Sequence, residues 1–176
     1  MLERQKYKSR VAHAIRNKES CMSIIIDKMD QSHCNIPHLG GCNTFSKPIH
    51  QGITGVLEHG QAVTIYHNIT NVSKGRDLTI YCILSQIEAW RKRNGCNPDT
   101  IYIQLDGGSE NANQHVIAIL EWLVSKRLAR TIYFTRLPTG HTHEDIDAIF
   151  KLLWQWFRSR HIESLVAYSE SLNSKA

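Results

Sequence analysis

Apolar residues recur along this chain in two rhythms that trade places. The β-branched run Ile24-Ile25-Ile26 stops at Asp27 and predicts a buried strand over about 22–27. Ile53–His59 and Ala62–Ile69 are rich in β-formers and are separated by Gly60-Gln61, which predicts a hairpin. The rhythm then becomes helical. Ile80, Ile83, Leu84, Ile87 and Trp90 define a helix that starts at Asp77 and ends with Arg91, Lys92 and Arg93 before Gly95. Thr100–Leu105 predicts a buried strand. Ser109 is the expected N-cap of a helix carrying Val116, Ile119, Leu120 and Leu123. Thr131–Thr135 predicts another strand. Ile146, Ile149, Phe150, Leu153, Trp154 and Phe157 form one stripe at about 100° per residue, which predicts a helix from about His143 to Arg160. A weaker amphipathic segment covers about 162–172.

The two ends of the first strand are less periodic. Residues 1–20 are basic and helix-compatible, with a thin stripe of Val11, Ala14, Ile15 and Tyr7. A packed first helix and a solvated arm are equally compatible with that stripe. Residues 28–52 lack periodicity and hold Pro37, Gly40, Gly41, Pro48 and Gly52, so a long loop is expected there. The order is strand, long loop, hairpin, helix, strand, helix, strand, helix. It predicts an α/β domain with a mixed sheet and helices on both faces. The expectation is a single domain over residues 1–176, with a basic N-terminal segment (1–20) and a C-terminal extension (161–176).

Composition narrows this picture only slightly. At 176 residues and 41% hydrophobic, the chain has the size and apolar content of one globular domain. The net charge of +5 favours an anionic partner. Five cysteines without a CxxC pair read as reduced thiols of an intracellular protein. No stretch reads as a signal peptide or a membrane span. Asn68-Ile69-Thr70 and Asn71-Val72-Ser73 match the glycosylation sequon, which chance explains in a chain without an export signal. Neither Gly40-Gly41 nor Gly107-Gly108 fits a phosphate-binding loop, and no nucleophile elbow accompanies the serines.

Candidate chemistry lies where apolar segments stop. Asp27 ends the first strand, and Leu105-Asp106-Gly107-Gly108-Ser109-Glu110-Asn111 follows the strand at 100–105. Gly140-His141-Thr142-His143-Glu144-Asp145-Ile146-Asp147 opens the last long helix. Each acid alone has a plain structural reading as a turn former or a first-turn residue favoured by the helix dipole. Together they are three carboxylates following three strands of one sheet, the oxygen donors that Mg²⁺ or Mn²⁺ prefers for phosphoryl transfer. With the helix stripe facing the sheet, Asp147 and His143 lie on one flank, Asp145 on the other, and Glu144 points away. Asp147 is therefore the first choice for the third acid, with Glu144 and Asp145 as alternates.

These motifs resemble the catalytic segments of the ribonuclease H fold in transposases and retroviral integrases. Asp27-Lys28-Met29-Asp30-Gln31, Leu105-Asp106 with Glu110-Asn111, and the string from Gly140 to Asp147 are similar to a transposase-derived domain family of eukaryotic mobile elements. The resemblance implies a five-stranded mixed sheet flanked by helices and metal-dependent cleavage or strand transfer of DNA. It implies Asp27, Asp106 and Asp147 as catalytic, metal-holding residues, with His143 beside Asp147, one or two Mg²⁺ (or Mn²⁺) ions as cofactor, DNA as partner and a nuclear setting. An Asp at 147 replaces the family's more usual Glu, and the separate DNA-binding or zinc-binding modules of full transposases are not visible here. A catalytic-core fragment or a decayed, inactive copy is therefore the alternative expectation, and a homo-oligomer is compatible with the resemblance.

Three rivals stand beside it. His141-x-His143-x-Asp145 matches the start of a metallo-β-lactamase-like motif, but Ile146 stands where another His is needed. His33, Cys34, His38 and Cys42 carry zinc-type donors at a spacing that is not a common finger pattern. A non-catalytic nucleic-acid-binding or scaffolding module would use the basic N-terminal segment and Arg91-Lys92-Arg93 on phosphates.

Overall fold

The computed structural model describes residues 2–39, 49–69, 75–106, 113–137 and 144–174; for Leu2, Glu3, His38, Leu39, Asp106, Leu137 and Glu144 the description stops at the backbone. The elements in chain order are α1 (Leu2–Arg16), β1 (Cys21–Lys28), β2 (His38–Leu39), β3 (Gly52–Glu58), β4 (Ala62–Asn68), α2 (Arg76–Asn94) and β5 (Thr100–Asp106). They continue with α3 (Gln114–Ser125), β6 (Thr131–Leu137), α4 (Glu144–Phe157), β7 (His161–Ile162) and α5 (Leu165–Asn173).

Five strands form the main sheet in the order β4-β3-β1-β5-β6. β1, β3 and β4 pair antiparallel, whereas β5 and β6 run parallel to β1. An antiparallel meander whose first strand sits at the centre, followed by two parallel strands reached through helices, is the ribonuclease H-like topology. The short pair β2–β7 makes a separate two-stranded sheet.

Side-chain alternation sorts the sheet into two faces. Met22, Ile24 and Ile26 of β1 join Ile101, Ile103 and Leu105 of β5 in a core closed by α2 and α3. Ile25 and Ile53 belong to a second core with Ile146, Phe150 and Phe157 of α4 and Tyr168 of α5. The segment after residue 161 is thus part of that core, since Tyr168 is fully buried and stacks on Phe157 at 4.6 Å.

Local signals explain most of the boundaries. Gly95 ends α2 in the left-handed conformation (φ 72°), its N–H bonded to the Arg91 carbonyl, as a glycine C-cap does. Two starts differ from expectation. α2 opens after Gly75, which places Asp77 in the first turn rather than at the cap. α3 starts at Gln114 with Asn113 as N-cap, its side chain accepting from the His115 N–H; Ser109 lies outside the described residues. Asn and Ser cap about equally well, so a polar run with several of them does not single out one start.

α1 is a packed helix. Ala14 is buried with Cys21 and Tyr102 beneath it. Arg10 bonds the Thr135 hydroxyl and lies over the rings of Tyr133 (5.3 Å) and Tyr102 (5.8 Å). No helix among the described residues is long and apolar enough to cross a membrane.

Candidate metal centre at the sheet edge

The parallel register between β1 and β5 runs from Cys21↔Thr100 to Ile26↔Leu105. One step beyond the last pair stand Asp27 and Asp106. Their backbones therefore occupy adjoining positions at the same end of the two central strands. Asp106 is also opposite Leu137 of β6. On its other side, Asp27 pairs with Gly55 of β3.

Asp27 follows Ile26 and so shares the face of Ile25, the face that α4 covers. α4 approaches closely because Gly55 has no side chain. A Cβ built there would meet Phe150 Cε1 at 2.8 Å and Cζ at 2.9 Å. That approach brings α4 over β1, and a cavity of about 470 Å³ remains between them. Asp27, Lys28, Met29, Asp30 and His33 line one wall; Asp147, Phe150, Lys151 and Trp154 line the other.

Asp27 is half-buried and Asp147 is exposed. Asp30 is engaged locally. Its Oδ1 accepts from Ser32 N (2.8 Å) and Ser32 Oγ (2.7 Å), and these bonds hold its carboxyl below the ordinary value. His33 stacks on Trp154 with ring centres 4.2 Å apart and planes 17° apart. Lys28 and Lys151 place two cationic stems at the same cavity.

The other flank of α4 does something different. The Tyr7 hydroxyl donates to Asp145 Oδ2 at 2.6 Å and lies 2.9 Å from His59 Nε2. Asp145 Oδ2 is 3.7 Å from the same His59 nitrogen. His59 Nδ1 is 3.0 Å from Ser23 Oγ and 3.1 Å from the Ser23 carbonyl. Burial pushes the His59 pKa down, against the opposing pull of the Ser23 carbonyl and the Asp145 charge. Tyr7, His59 and Asp145 thus tie α1, the end of β3 and the start of α4 together.

Of the three predicted acids, Asp27 and Asp147 meet at one cavity, and the backbone of Asp106 adjoins Asp27. The side chains of Asp106 and Glu144 lie outside the described residues, as do His141 and His143. Asp145, an alternate third acid and the last member of the His-x-His-x-Asp motif, faces Tyr7 and His59. Cys34, from the zinc-type cluster, is buried and donates its Sγ–H to the Asp30 carbonyl at 3.4 Å, while Cys42 lies outside the described residues. Among the described residues, no three His, Cys, Asp or Glu side chains form a group that could hold a metal ion.

Sequence reasoning did not single out Lys151, Trp154 or His33 for this site. Lys151 was findable, since it stands four residues after Asp147 and so on the same flank of the helix. The Asp30-x-Ser32 turn was findable as an Asx turn. The Tyr7–His59–Asp145 link joins three distant segments and leaves no local signal.

A family model described as "Domain of unknown function (DUF7869)" matches residues 43–175. No curated protein matches the chain. Among solved structures, the chain is similar to Marinitoga piezophila Argonaute in complex with 5′ OH guide RNA and target DNA. The TM-score is 0.41 and the identity 14%, over 74% of this chain and 19% of that one. The same Argonaute with 5′ OH guide RNA gives a TM-score of 0.39 and 12% identity, over 70% of this chain and 17% of that one. The chain spans under a fifth of the length of those proteins.

Proposed function

We propose that this chain, which belongs to the family described as a domain of unknown function (DUF7869), is a divalent-metal-dependent domain acting on DNA phosphodiester bonds by cleavage or strand transfer. The observation that carries this reading is the convergence at the sheet edge. The β1–β5 register sets the Asp27 and Asp106 positions side by side, and α4 brings Asp147 to the cavity that Asp27 lines.

The donors fit a hard cation. Carboxylate oxygens are the ligands that Mg²⁺ and Mn²⁺ take, and the cavity is open enough to admit water and phosphate beside them. Asp27, Asp106 and Asp147 would hold the ion or ions. When bound, such ions polarise the phosphate and lower the pKa of a coordinated water or 3′-hydroxyl. Lys28 and Lys151 would neutralise the non-bridging oxygens of the scissile phosphate and hold it against the carboxylates. His33 and Trp154, stacked on one another, would form a wall that limits where the flanking nucleotide lies. A transposase-derived origin and a nuclear setting would follow from the resemblance of the three acid motifs.

A non-catalytic, nucleic-acid-binding reading is favoured by one observation: α1 carries five cations against one anion, with Arg4, Lys8 and Arg16 exposed. A nuclease assay in Mn²⁺ on supercoiled and linear DNA separates the two readings. Cleavage by the wild type that is lost in Asp106→Asn supports the catalytic reading. DNA binding without cleavage in both proteins supports the other.

A further inference from the structure

The net charge of this chain is concentrated in one helix. α1 carries Arg4, Lys6, Lys8, Arg10 and Arg16 against Glu3, five cations and one anion, or +4 of the chain's +5. Those charges sit on a fixed support. Tyr7 is bonded to Asp145 and His59, His13 Nδ1 lies 3.2 Å from the Tyr102 hydroxyl, Ala14 is buried, and Arg10 is held over Tyr102 and Tyr133. Four cations of α1 are exposed, Lys6 on one side of the helix and the other three in a strip on the other. At 100° per residue Arg4, Lys8 and Arg16 fall on one side of the helix, all exposed, over about 18 Å of its length.

The helix that carries the strip adjoins α4, the helix that carries Asp147, on the flank opposite the cavity. Tyr7, between Arg4 and Lys8, touches Asp145, which is two residues from Asp147 on α4. We propose that the Arg4–Lys8–Arg16 face of α1 is a rail for the phosphate backbone of duplex DNA. The inference rests on the DNA-directed reading above and names where the partner is gripped.

Three features select duplex DNA over other anionic partners. The charges are spaced along a rigid helix, which suits a regular array of phosphates at about one per 1.7 Å of duplex axis. Neither ring of α1 is set as a stacking platform for an unpaired base: Tyr7 is half-buried and bonded through its hydroxyl, and the His13 ring meets Tyr102 edge-on. The helix also lacks the broad apolar face with which an interfacial helix enters a membrane. Its apolar stripe is thin: Ala14 is buried, Val11 is half-buried, and Ile15, 48% exposed, lies alongside Gly60.

Fluorescence anisotropy with a 20-base-pair duplex of arbitrary sequence, in EDTA and over a range of salt, tests this. The wild type should bind with an affinity that falls steeply with salt. Arg4→Gln/Lys8→Gln/Arg16→Gln should lose affinity at least tenfold and flatten the log–log salt slope by about 2–3, near 0.9 for each phosphate contact removed. Lys8→Gln alone should flatten it by about 0.9. Arg91→Gln/Lys92→Gln/Lys126→Gln, which removes equal charge from α2 and from the cap of α3, should leave the slope nearly unchanged.

Equal loss in both triple variants, no loss in the α1 variant, or no duplex binding by the wild type would overturn the rail. So would tighter binding to single-stranded DNA or to phosphatidylserine vesicles than to duplex. Because binding is read without metal, a failure of the catalytic reading does not touch this result. Calorimetric titration of the α1 variant with Mn²⁺ should match the wild type, and a matching melting temperature shows that the variant is folded.

Discussion

The ring of Phe150 fills the space where Gly55 would carry a side chain, with its Cε1 2.8 Å from an ideal Cβ. Gly55 is the β3 partner of Asp27, so the close approach of α4 to the sheet and the presence of Asp147 near Asp27 share one cause. Gly55→Ala is expected to force Phe150 and Ile146 outward and to cost about 1–3 kcal/mol, the usual range for overpacking. Urea denaturation measures it. Phe150→Leu in the same chain should return part of the loss, because the two positions are in contact and their effects do not add. Strict additivity would mean that the ring and the glycine are not coupled.

The candidate metal centre makes a prediction that needs no substrate. An ion bound only by the folded state stabilises it by RT ln(1 + [L]/Kd), about 2.7 kcal/mol at one hundred times Kd. Adding Mn²⁺ to the EDTA-treated wild type should raise the melting temperature by several degrees. Asp27→Asn and Asp147→Asn should each abolish most of that rise while melting normally in EDTA. A rise that survives both substitutions would place the ion elsewhere in the molecule.

How much of this was readable beforehand depends on how local each determinant is. The apolar stripe of α4, the Gly95 cap and the β-branched run of β1 are written in neighbouring residues, and those elements fall where the signals are, with β1 running one residue past Asp27 to Lys28. Element order alone predicted a hairpin and a mixed sheet with helices on both faces, whereas the five-stranded ribonuclease H-like arrangement came from the resemblance of the acid motifs. The site depended on more. Asp27 and Asp106 adjoin only because β1 and β5 pair in one particular parallel register, and no local residue states that register. α1 hid its packing because its apolar stripe is thin and one of its docking groups, Arg10, is a residue that composition counts as surface. Arg10 is held by two tyrosines from β5 and β6, neither of which is close in sequence.

The Tyr7–His59–Asp145 link gives a pH dependence with a definite sign. His59 is lowered by burial from its ordinary value of 6.5, so below that value the unfolded chain binds a proton that the folded chain resists. Its contribution is complete above about pH 6.5 and is lost as pH falls from there towards the folded pKa. His67, also lowered by burial, acts in the same direction. Melting temperature should therefore fall between about pH 7 and 5, and His59→Gln should make that fall shallower without removing it. Tyr7→Phe, which deletes the hydroxyl bonded to Asp145, should cost on the order of 1 kcal/mol at pH 7.5. An identical pH profile in wild type and His59→Gln would show that His59 titrates equally in both states.

Glu58 and Arg93 supply a test of the opposite layer. Glu58 ends β3, where it pairs with Ile24 and Ala62, and its side chain is 1% exposed. Arg93, near the end of α2, donates to its Oε1 at 2.6 Å and lies over the Trp90 ring at 5.8 Å. A buried carboxylate survives here because one cation reaches it from the neighbouring helix. Removing that cation should cost more than the pair is worth, since the remaining charge has no water to turn to. Arg93→Ala is expected to lose on the order of 3 kcal/mol in urea denaturation. Glu58→Gln in the Arg93→Ala background should recover part of that loss, because a neutral amide is cheaper to bury than an unpaired carboxylate. Arg93→Lys should fall between, keeping the charge but losing the planar contact with Trp90. If the double variant were instead less stable than Arg93→Ala, Glu58 would owe its place to bonds other than the one from Arg93.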